Sequence, residues 1–251
     1  MILELDIGNS RIKWRRISGK NNELPVRGIN NVVGDFLKEQ TNYEKPSLIR
    51  MSNVADSSIT RVITEWAQIN WNISPVEAAV RRHCGGVEVQ YKEVSRLGVD
   101  RWLAMLAAFG KSNGPCLIVD VGTAFTLDIL DDDGLHLGGY ILPGLRLMAD
   151  ILVSETGVRL DGKGFEPALG LGNSTREAVV NGAVTALVAL VEKKMRELFS
   201  NNENSLDPKV YITGGDATLL ATLLNSPQQD IEEDLVLDGL VVACTPASDT
   251  D

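Results

Sequence analysis

The sequence predicts an α/β protein of two duplicated lobes with a ligand cleft between them. The first observation is a repeat, because a short apolar strand followed by Asp, a variable residue and Gly occurs at Asp6 and again at Asp120. The second is length, since 251 residues at roughly 150 per domain leave room for two modest lobes. The third is composition, because 44% hydrophobic and 23% charged residues lie within the range of a globular α/β protein with a real core. We place the lobes at 1–113 and 114–251, with the boundary beside Asn113.

Each copy of the motif opens a predicted β-hairpin. In the first hairpin a strand at 1–6 is followed by one at 11–17, and in the second a strand at 116–120 is followed by one at 125–130. Short apolar runs bounded by turn residues predict such strands. The other predicted elements are strands at 46–53, 136–142 and 210–213, helices at 57–70, 100–111 and 145–153, a long helix at 174–198, and two short helices after residue 216.

Capping residues locate the starts of two helices. Asp56 or Ser57 can cap the helix that follows them. Ser174 and Glu177 form a capping box, which makes Thr175 the first helical residue and leaves its hydroxyl for a ligand. Apolar and small residues then recur at three- and four-residue steps, a pattern that predicts the apolar face of this longest helix. That face consists of Ala178, Gly182, Ala183, Ala186, Leu190 and Leu198.

The charge balance excludes several classes of partner. The chain carries 24 Lys and Arg residues against 34 Asp and Glu residues, for a net charge of −10. A field of this sign repels polyphosphates and anionic membrane surfaces, so we expect neither nucleic acid nor a membrane as a partner. A small anionic ligand is still compatible with this charge, because a local cluster of backbone N–H groups and a cation can bind it.

Cysteine usage and the start of the chain predict a cytoplasmic protein. Cys84, Cys116 and Cys244 are odd in number and widely separated, a pattern typical of reduced thiols rather than of disulfides or structural zinc. Residues 1–6 carry an acid inside the apolar run and lack the basic region of a signal peptide. We expect no membrane span, because polar residues interrupt the apolar stretch at 178–191.

The two Asp-Gly turns are candidate sites for phosphate and metal. Glycine lets the backbone N–H groups of a hairpin approach phosphate oxygens, a neighbouring Asn or Thr adds a side-chain donor, and Asp6 or Asp120 can face a metal ion. Lys13 can reach the same phosphates from the second strand. A single Asp-x-Gly motif is more simply a tight turn, but two copies behind apolar strands favour a nucleotide site.

Two further motifs combine a chemical interpretation with a simple structural one. Asp100 could accept a proton from a substrate hydroxyl while Arg101 clamps a carboxylate, which is what a kinase for a small hydroxy acid needs. The alternative is a helix-capping Asp beside a solvated Arg. Gly214 and Gly215 could receive the adenosine of a nucleotide, or form with Asp216 only a strand-to-helix turn.

In these motifs and their order the chain resembles the type III pantothenate kinases, members of the superfamily of acetate and sugar kinases, Hsp70 and actin. The resemblance covers nearly the whole chain. It implies two duplicated ribonuclease H-like lobes, the actin-like ATPase fold, with the nucleotide cleft between them. It rests on Asp6-Ile-Gly-Asn-Ser-Arg-Ile-Lys13-Trp14, Gly98-Val-Asp100-Arg101, Asp120-Val-Gly-Thr123-Ala, Gly138-Gly-Tyr-Ile-Leu-Pro143-Gly144, Gly172-Asn-Ser-Thr175 and Thr213-Gly-Gly-Asp216.

The resemblance implies a role for each matching residue. Asp100 would be the general base on the primary hydroxyl of pantothenate. Asp6 would be oriented towards Mg²⁺, and Asp120 would help to bind a monovalent cation, K⁺ or NH₄⁺. ATP would be bound by Asp6, Ile7, Gly8, Asn9, Ser10, Arg11, Ile12, Lys13 and Thr123. Pantothenate would be bound by Tyr91, Gly98, Val99, Asp100, Arg101 and Thr175.

The implied activity is transfer of the γ-phosphoryl group of ATP to the hydroxyl of pantothenate, which gives 4′-phosphopantothenate in the first step of coenzyme A biosynthesis. The resemblance also implies a homodimer with pantothenate bound near the interface. Two alternatives remain: a catalytically weak regulatory relative of the same fold, such as an accessory factor for transcription, or a phosphotransferase for another small hydroxylated substrate. The acidic positions that the chemistry requires are present, which favours the kinase.

Overall fold

The computed structural model describes residues 1–19, 23–112, 114–160, 166–200, 208–224 and 226–245. The chain divides into two compact units, of which one comprises Met1–Ala107 with Asp234–Asp251 and the other comprises Ala108–Glu233. The C-terminal segment therefore packs with the first unit, although it follows the second in sequence. Asn113, beside the predicted lobe boundary, lies outside the described residues, and the lobes 1–113 and 114–251 stay a prediction.

The predicted strands and helices are confirmed, and their ends agree to within two residues. The strands are β1 (Ile2–Ile7), β2 (Ile12–Ile17), β3 (Val26–Asn30), β4 (Leu48–Asn53), β5 (Val76–Glu77), β6 (His83–Cys84), β7 (Val87–Val89), β8 (Cys116–Val121), β9 (Ala124–Leu130), β10 (Leu135–Pro143), β11 (Lys209–Thr213) and β12 (Gln229–Ile231). The helices are α1 (Val33–Gln40), α2 (Ser57–Trp71), α3 (Val99–Ser112), α4 (Leu145–Glu155), α5 (Thr175–Ser200), α6 (Ala217–Leu224) and α7 (Leu235–Ala243), with a 3₁₀ turn at Val94–Arg96. The prediction did not include β3, α1, β5, β6, β7 or β12.

Among the described residues, the strands of the five-stranded sheet and five strands of the seven-stranded sheet have the same order and the same directions. The first unit has the order β3-β2-β1-β4-β5, and the second has β10-β9-β8-β11-β12. The central strand, β1 or β8, pairs antiparallel with the next strand along the chain and parallel with β4 or β11. This shared topology confirms the predicted duplication. It also places Asp6 and Asp120 near the same end of the central strand in each unit.

The long helix α5 buries only part of the predicted face, since Leu190 and Leu198 pack against the core of the second unit. Ala178, Gly182 and Ala183, from the predicted face, line an open groove beside α4. The prediction was wrong for these small residues because small and large apolar residues recur at the same helical spacing, and burial of the larger side chains removes more apolar area from water. The buried face consists of Val184, Leu187, Val188, Val191 and Met195.

The start of α5 is capped as predicted. The backbone N–H of Glu177 donates to the Ser174 hydroxyl at 3.2 Å. The Glu177 carboxylate accepts in turn from the backbone N–H of Asn173 at 2.7 Å, one residue before the cap. Together these bonds satisfy N–H groups that have no partner within the helix. None of the helices in the described part of the chain, α5 included, is long and apolar enough to cross a membrane.

A buried charge network attaches α7 to the first unit. Glu4 on β1 has no exposed surface, and its carboxylate accepts hydrogen bonds from Arg15 at 2.6 Å and from Arg50 at 3.1 Å. Arg15 also donates from Nη1 to Asp238 on α7 at 2.6 Å and lies 3.5 Å from Asp234. Opposite charges offset the cost of burial here, whereas removal of one partner would leave a buried charge unpaired.

Gly239 allows α7 to lie directly against α3, because a Cβ at this position would overlap the backbone carbonyl oxygen of Leu103. We expect Gly239→Ala to lower the free energy of unfolding by roughly 1–3 kcal/mol, since the two helices would have to separate. Gly110→Ala on α3 is the control. Its Cβ would meet no atom within 4 Å, so the helical propensity of Ala should raise the free energy by about 0.5–1 kcal/mol. Urea denaturation measures both changes, and equal stabilities of the two variants would contradict the close approach.

Candidate active site

The first Asp-Gly hairpin closes as a tight turn between β1 and β2. The Gly8 N–H donates to the Arg11 carbonyl at 3.0 Å, and Asp6 pairs across the strands with Lys13. Residues 9–11 at the tip are exposed. An exposed glycine turn with a cation on the adjoining strand is the kind of loop that binds phosphate oxygens.

Asp6 is a carboxylate held in a site that disfavours its charge. Ser52, its register partner on β4, donates a hydrogen bond to Asp6 Oδ1 at 2.9 Å. Burial nevertheless raises the pKa of Asp6 to about 6, because it outweighs this hydrogen bond and the nearby positive charges. The negative charge of Asp100 adds to the increase in pKa. Two carboxylates therefore lie within electrostatic reach of each other, and a bound cation would stabilise both.

Asp100 and Arg101 lie in the first turn of α3. Asp100 Oδ1 accepts a hydrogen bond from the backbone N–H of Arg101 at 2.7 Å. A Cβ at Gly98 would lie 2.6 Å from the same oxygen, so Gly98 leaves room for the carboxylate. Only 7% of the Arg101 surface is exposed, and its Nη1 donates to the Tyr91 hydroxyl at 3.1 Å. Burial of Arg101 contradicts the alternative of a solvated side chain. The two hydrogen bonds place Tyr91, Arg101 and Asp100 in one cluster.

In the second unit, the loops at Gly144 and Gly214 pack against the turn that follows Asp120. The Gly122 N–H closes the turn after Asp120 with a hydrogen bond of 3.0 Å. Gly214 has a φ of 99°, and a Cβ there would lie 2.5 Å from Asp120 Oδ1, so both the conformation and the close approach require glycine. A Cβ at Gly144 would overlap the Gly122 carbonyl oxygen. The Gly144 N–H donates to the Thr123 carbonyl at 2.9 Å. The turn at 122–124 is therefore stabilised both by its own hydrogen bond and by one from Gly144.

Thr175 is the first residue of α5 and lines an apolar groove beside α4 with a volume of about 560 Å³. Pro143 lines the same groove. It directly precedes Gly144, which contacts Thr123. The groove therefore adjoins the second hairpin. Its remaining lining residues are apolar or small: Met148, Ile151, Leu152, Ala178, Val179, Gly182 and Ala183.

The structure groups the predicted site residues within each unit. The first unit holds 6–13, Tyr91 and 98–101, and the second holds Asp120, Thr123 and Thr175. Sequence reasoning missed Ser52, which donates to Asp6, and Asp234, which lies 3.6 Å from the ammonium of Lys13. Ser52 ends a predicted strand, but only the parallel register of β1 with β4 reveals its partner. Asp234 comes from a distant part of the chain and gave no local signal.

The carboxylates of the first unit fit a hard divalent cation. Mg²⁺ is usually held by one or two carboxylates together with phosphate oxygens and water. Asp6 and Asp100 offer such oxygens, and the raised pKa of Asp6 marks a charge that the surrounding groups do not fully compensate. No group of three His, Cys, Asp or Glu side chains with the geometry of a metal site occurs among the described residues. A metal at Asp6 would therefore take its remaining ligands from phosphate or water.

The surroundings of Asp120 fit a larger cation. Its Oδ1 lies beside the backbones of Gly122 and Gly214, and a Cβ at Gly214 would also lie 2.6 Å from the Val121 carbonyl oxygen. The site thus combines one carboxylate with backbone oxygens and has no bulky side chain at these glycines. Carboxylate and carbonyl oxygens are the ligands that hard cations such as K⁺ prefer.

Comparison with known proteins gives a family. A model of the family described as type III pantothenate kinase matches residues 2–197. A type III pantothenate kinase of Pseudomonas fluorescens (strain Pf0-1) is 38% identical and covers 97% of this chain and 99% of its own length. One from Nitrosococcus oceani is 34% identical and covers 96% of this chain and 92% of its own length.

Solved structures agree with the fold. A Baf family protein from Campylobacter jejuni superposes with a TM-score of 0.58 at 22% identity, covering 95% of each chain. A candidate 2-dehydro-3-deoxygalactonokinase from Sinorhizobium meliloti gives a TM-score of 0.52 at 15% identity, covering 97% of this chain and 98% of the other. At these identities the likeness shows the fold alone, which is the predicted actin-like fold of duplicated α/β lobes.

The raised pKa of Asp6 makes a prediction about stability. Folding disfavours the charged form of Asp6. The free energy of unfolding therefore falls as pH rises from about 4 to about 6, and it stays at the lower value above about pH 6. We expect Asp6→Asn, without divalent metal, to raise the free energy of unfolding by ~1–3 kcal/mol at about pH 8 and by much less at about pH 4.5. Urea denaturation at both pH values measures the difference.

Asp56 provides a control of opposite sign. It caps α2, and its hydrogen bond from the Ser58 N–H, 2.7 Å long, lowers the pKa of its carboxyl. Its charged form therefore stabilises the folded state above the unfolded pKa, and this stabilisation is lost as pH falls. Asp56→Asn should lose stability relative to the parent as pH rises. An Asp6→Asn protein that behaves in the same way would show that burial does not disfavour the Asp6 charge.

Proposed function

Because the chain belongs to the type III pantothenate kinase family, we propose that the Asp100 cluster and the two Asp-Gly hairpins carry out the reaction of that family. The protein is an ATP-dependent transferase that phosphorylates the hydroxyl of pantothenate, giving 4′-phosphopantothenate and ADP in the first step of coenzyme A biosynthesis. The observation that carries our division of roles is the buried Arg101, which binds Tyr91 and lies beside Asp100. The family matches support this kinase over the regulatory relative and over a phosphotransferase for another substrate.

Arg101 is the residue that we assign to the pantothenate carboxylate. A guanidinium binds a carboxylate through two parallel hydrogen bonds, and it does so best when it is already oriented and shielded from water. Both conditions are met, because Arg101 is buried and the Tyr91 hydroxyl accepts from its Nη1. The position of Tyr91 is fixed in turn, because its backbone carbonyl accepts a hydrogen bond from the Arg82 guanidinium at 3.0 Å. Gly98 and Val99 complete this pocket in our proposal, together with Thr175.

Asp100 is the general base in this proposal. Its Oδ1 is held by the backbone N–H of Arg101, which fixes the direction of the carboxylate. The carboxylate takes the proton of the primary hydroxyl as the hydroxyl oxygen forms its bond to the γ-phosphorus, and the bond from that phosphorus to the β-phosphate oxygen breaks to release ADP. Asp100 and Arg101 are neighbours in sequence. When Arg101 binds the carboxylate of a short hydroxy acid, the hydroxyl of the same molecule is brought close to its base, Asp100.

The two hairpins are assigned to ATP and its cations. Residues 6–13 and Thr123 would bind the nucleotide, the first through the turn N–H groups and the Lys13 ammonium. Asp6 would hold Mg²⁺ and Asp120 would contribute to a site for K⁺ or NH₄⁺. Bound cations supply neutralisation of phosphate charge, which a loose phosphoryl-transfer transition state needs more than covalent chemistry.

The groove beside α5 supports a homodimer. Exposed apolar side chains there include Ile151 at 41% and Leu152 at 39%, and contiguous apolar surface of this kind is usually covered by a partner. A second copy seated on the groove would also approach Thr175 at its rim. We therefore retain a homodimer with pantothenate bound near its interface as part of the proposal.

A cytoplasmic location completes the proposal. Cys84, Cys116 and Cys244 are free cysteines, and burial raises the pKa of the Cys116 thiol to about 12, which keeps it protonated. Free thiols of this kind are typical of a reducing compartment.

Asp100→Asn tests the assignment of the base. The amide can still accept the Arg101 N–H but cannot take the hydroxyl proton, so we expect turnover with pantothenate to fall by about 10²–10⁴ while ATP affinity changes little. ADP release with MgATP, pantothenate and K⁺ or NH₄⁺ measures turnover, and equilibrium titration measures ATP binding. Unchanged turnover would remove Asp100 from the role of base. Activity that does not respond to either cation would remove the monovalent site from the proposal.

Tyr91→Phe tests the orientation of Arg101. Loss of the hydroxyl removes the acceptor of the 3.1 Å hydrogen bond and leaves the ring in place. We expect KM for pantothenate to rise by about five- to tenfold, with turnover at saturation nearly unchanged, because one hydrogen bond to a charged group is lost. Tyr140→Phe, on an exposed tyrosine of β10 in the second unit, is the matched control. Equal KM values in the two variants would contradict a role for the Tyr91 hydroxyl.

A further inference from the structure

We propose that Asp234 is a positioning residue for the phosphate-binding Lys13, which it holds from the start of α7. This inference goes beyond the assignment of residues 6–13 to ATP but rests on it. Asp234 belongs to none of the motifs that identify the family in this sequence. It lies next to Lys13 only because the C-terminal segment folds back onto the first unit.

The geometry places the Lys13 ammonium beside a buried carboxylate. Lys13 Nζ lies 3.6 Å from Asp234 Oδ1. The Asp234 side chain is 9% exposed, whereas that of Lys13 is 30% exposed. The buried Oδ1 accepts no hydrogen bond from the described residues, although a carboxylate oxygen in such a place normally has a donor. An ammonium at 3.6 Å is close enough to compensate this oxygen electrostatically and still loose enough to turn towards a phosphate.

The opposite oxygen of the same carboxylate is firmly anchored. Asp234 Oδ2 accepts from Arg27 Nε at 2.7 Å and lies 3.5 Å from Nη1 of Arg15. Burial alone would raise the pKa of Asp234, but the hydrogen bond from Arg27 and the charges of Lys13, Arg27 and Arg15 lower it below its ordinary value. The carboxylate is therefore ionised and fixed, with one oxygen directed at Lys13.

Lys13 is under competing attraction from Asp6. The two residues pair across the hairpin, and the positive charge of Lys13 acts on the Asp6 carboxylate. A lysine held by Asp6 would neutralise the group assigned to Mg²⁺ and lose its own reach to phosphate. Asp234 attracts the ammonium from the α7 side and keeps it from settling on Asp6. Removal of that attraction leaves Arg15 and Arg27 to repel Lys13 towards Asp6, so ATP should bind more weakly.

The test compares KM for ATP in Asp234→Asn and Asp238→Asn. Both residues are at α7 and both lie close to Arg15, and Asp234 also lies 3.6 Å from the Lys13 ammonium. We expect Asp234→Asn to raise KM for ATP by about tenfold with kcat changed less than about twofold. Asp238→Asn should loosen the same network without this change in KM. An equal increase in both variants, or no increase in Asp234→Asn, would overturn the proposal.

A double-mutant cycle with Lys13→Met separates the inference from the assignment on which it rests. In the Lys13→Met background, Asp234→Asn should add no further increase in KM for ATP, because the residue that it positions is gone. A full additional increase would show that Asp234 acts by another route and would overturn the inference. If Lys13→Met itself leaves KM for ATP unchanged, the assignment of Lys13 to ATP fails. If Lys13→Met raises KM and Asp234→Asn does not, only the positioning role fails.

Discussion

The buried ion pair of Glu4 and Arg15 is the contact on which the first unit depends. Glu4 lies on the central strand of that unit without any exposed surface, so its charge must be matched from within the protein. Arg15 meets it from β2 and continues to Asp238 on α7. A residue near the start of the chain is thereby linked to one near its end. Because α7 follows the entire second unit in sequence, the first unit is complete only when the whole chain is present.

Strand alternation explains how one short segment contributes both to the core and to the proposed ATP site. Successive side chains of a strand point to opposite faces, so Lys13 and Arg15 share the face of β2 that meets Asp234. Trp14 and Arg16 take the other face, where Arg16 donates to Gln40 at 2.8 Å and Trp14 is fully buried. The face of Lys13 and Arg15 therefore joins the first Asp-Gly hairpin to the charge network, and the opposite face packs Trp14 into the core of the first unit.

Local patterns in the sequence were sufficient for the elements and the motifs but not for their partners. The apolar run before Asp6 specifies a strand, and Ser174 specifies a helix start, since each depends only on neighbours in sequence. The contact of Ser52 with Asp6 depends on the register of two strands that are separated in sequence, and the contact of Asp234 with Lys13 depends on the return of α7. The buried face of α5 was only partly predicted, because helical spacing alone does not rank small residues against large ones.

The duplicated units share the position of an Asp near the end of the central strand, but the surroundings of that Asp differ between them. Asp6 and Asp120 occupy equivalent positions, with Ser52 and Thr213 as register partners on the parallel strand. The residue after Ser52 is Asn53 rather than glycine. Asp6 accepts a hydrogen bond from the Ser52 hydroxyl and has the carboxylate of Asp100 nearby. The residue after Thr213 is Gly214, and its backbone lies directly against the Asp120 carboxylate. One glycine thus replaces a side-chain environment with a backbone one, which accounts for the different surroundings of Asp6 and Asp120, the two residues to which we assign different cations.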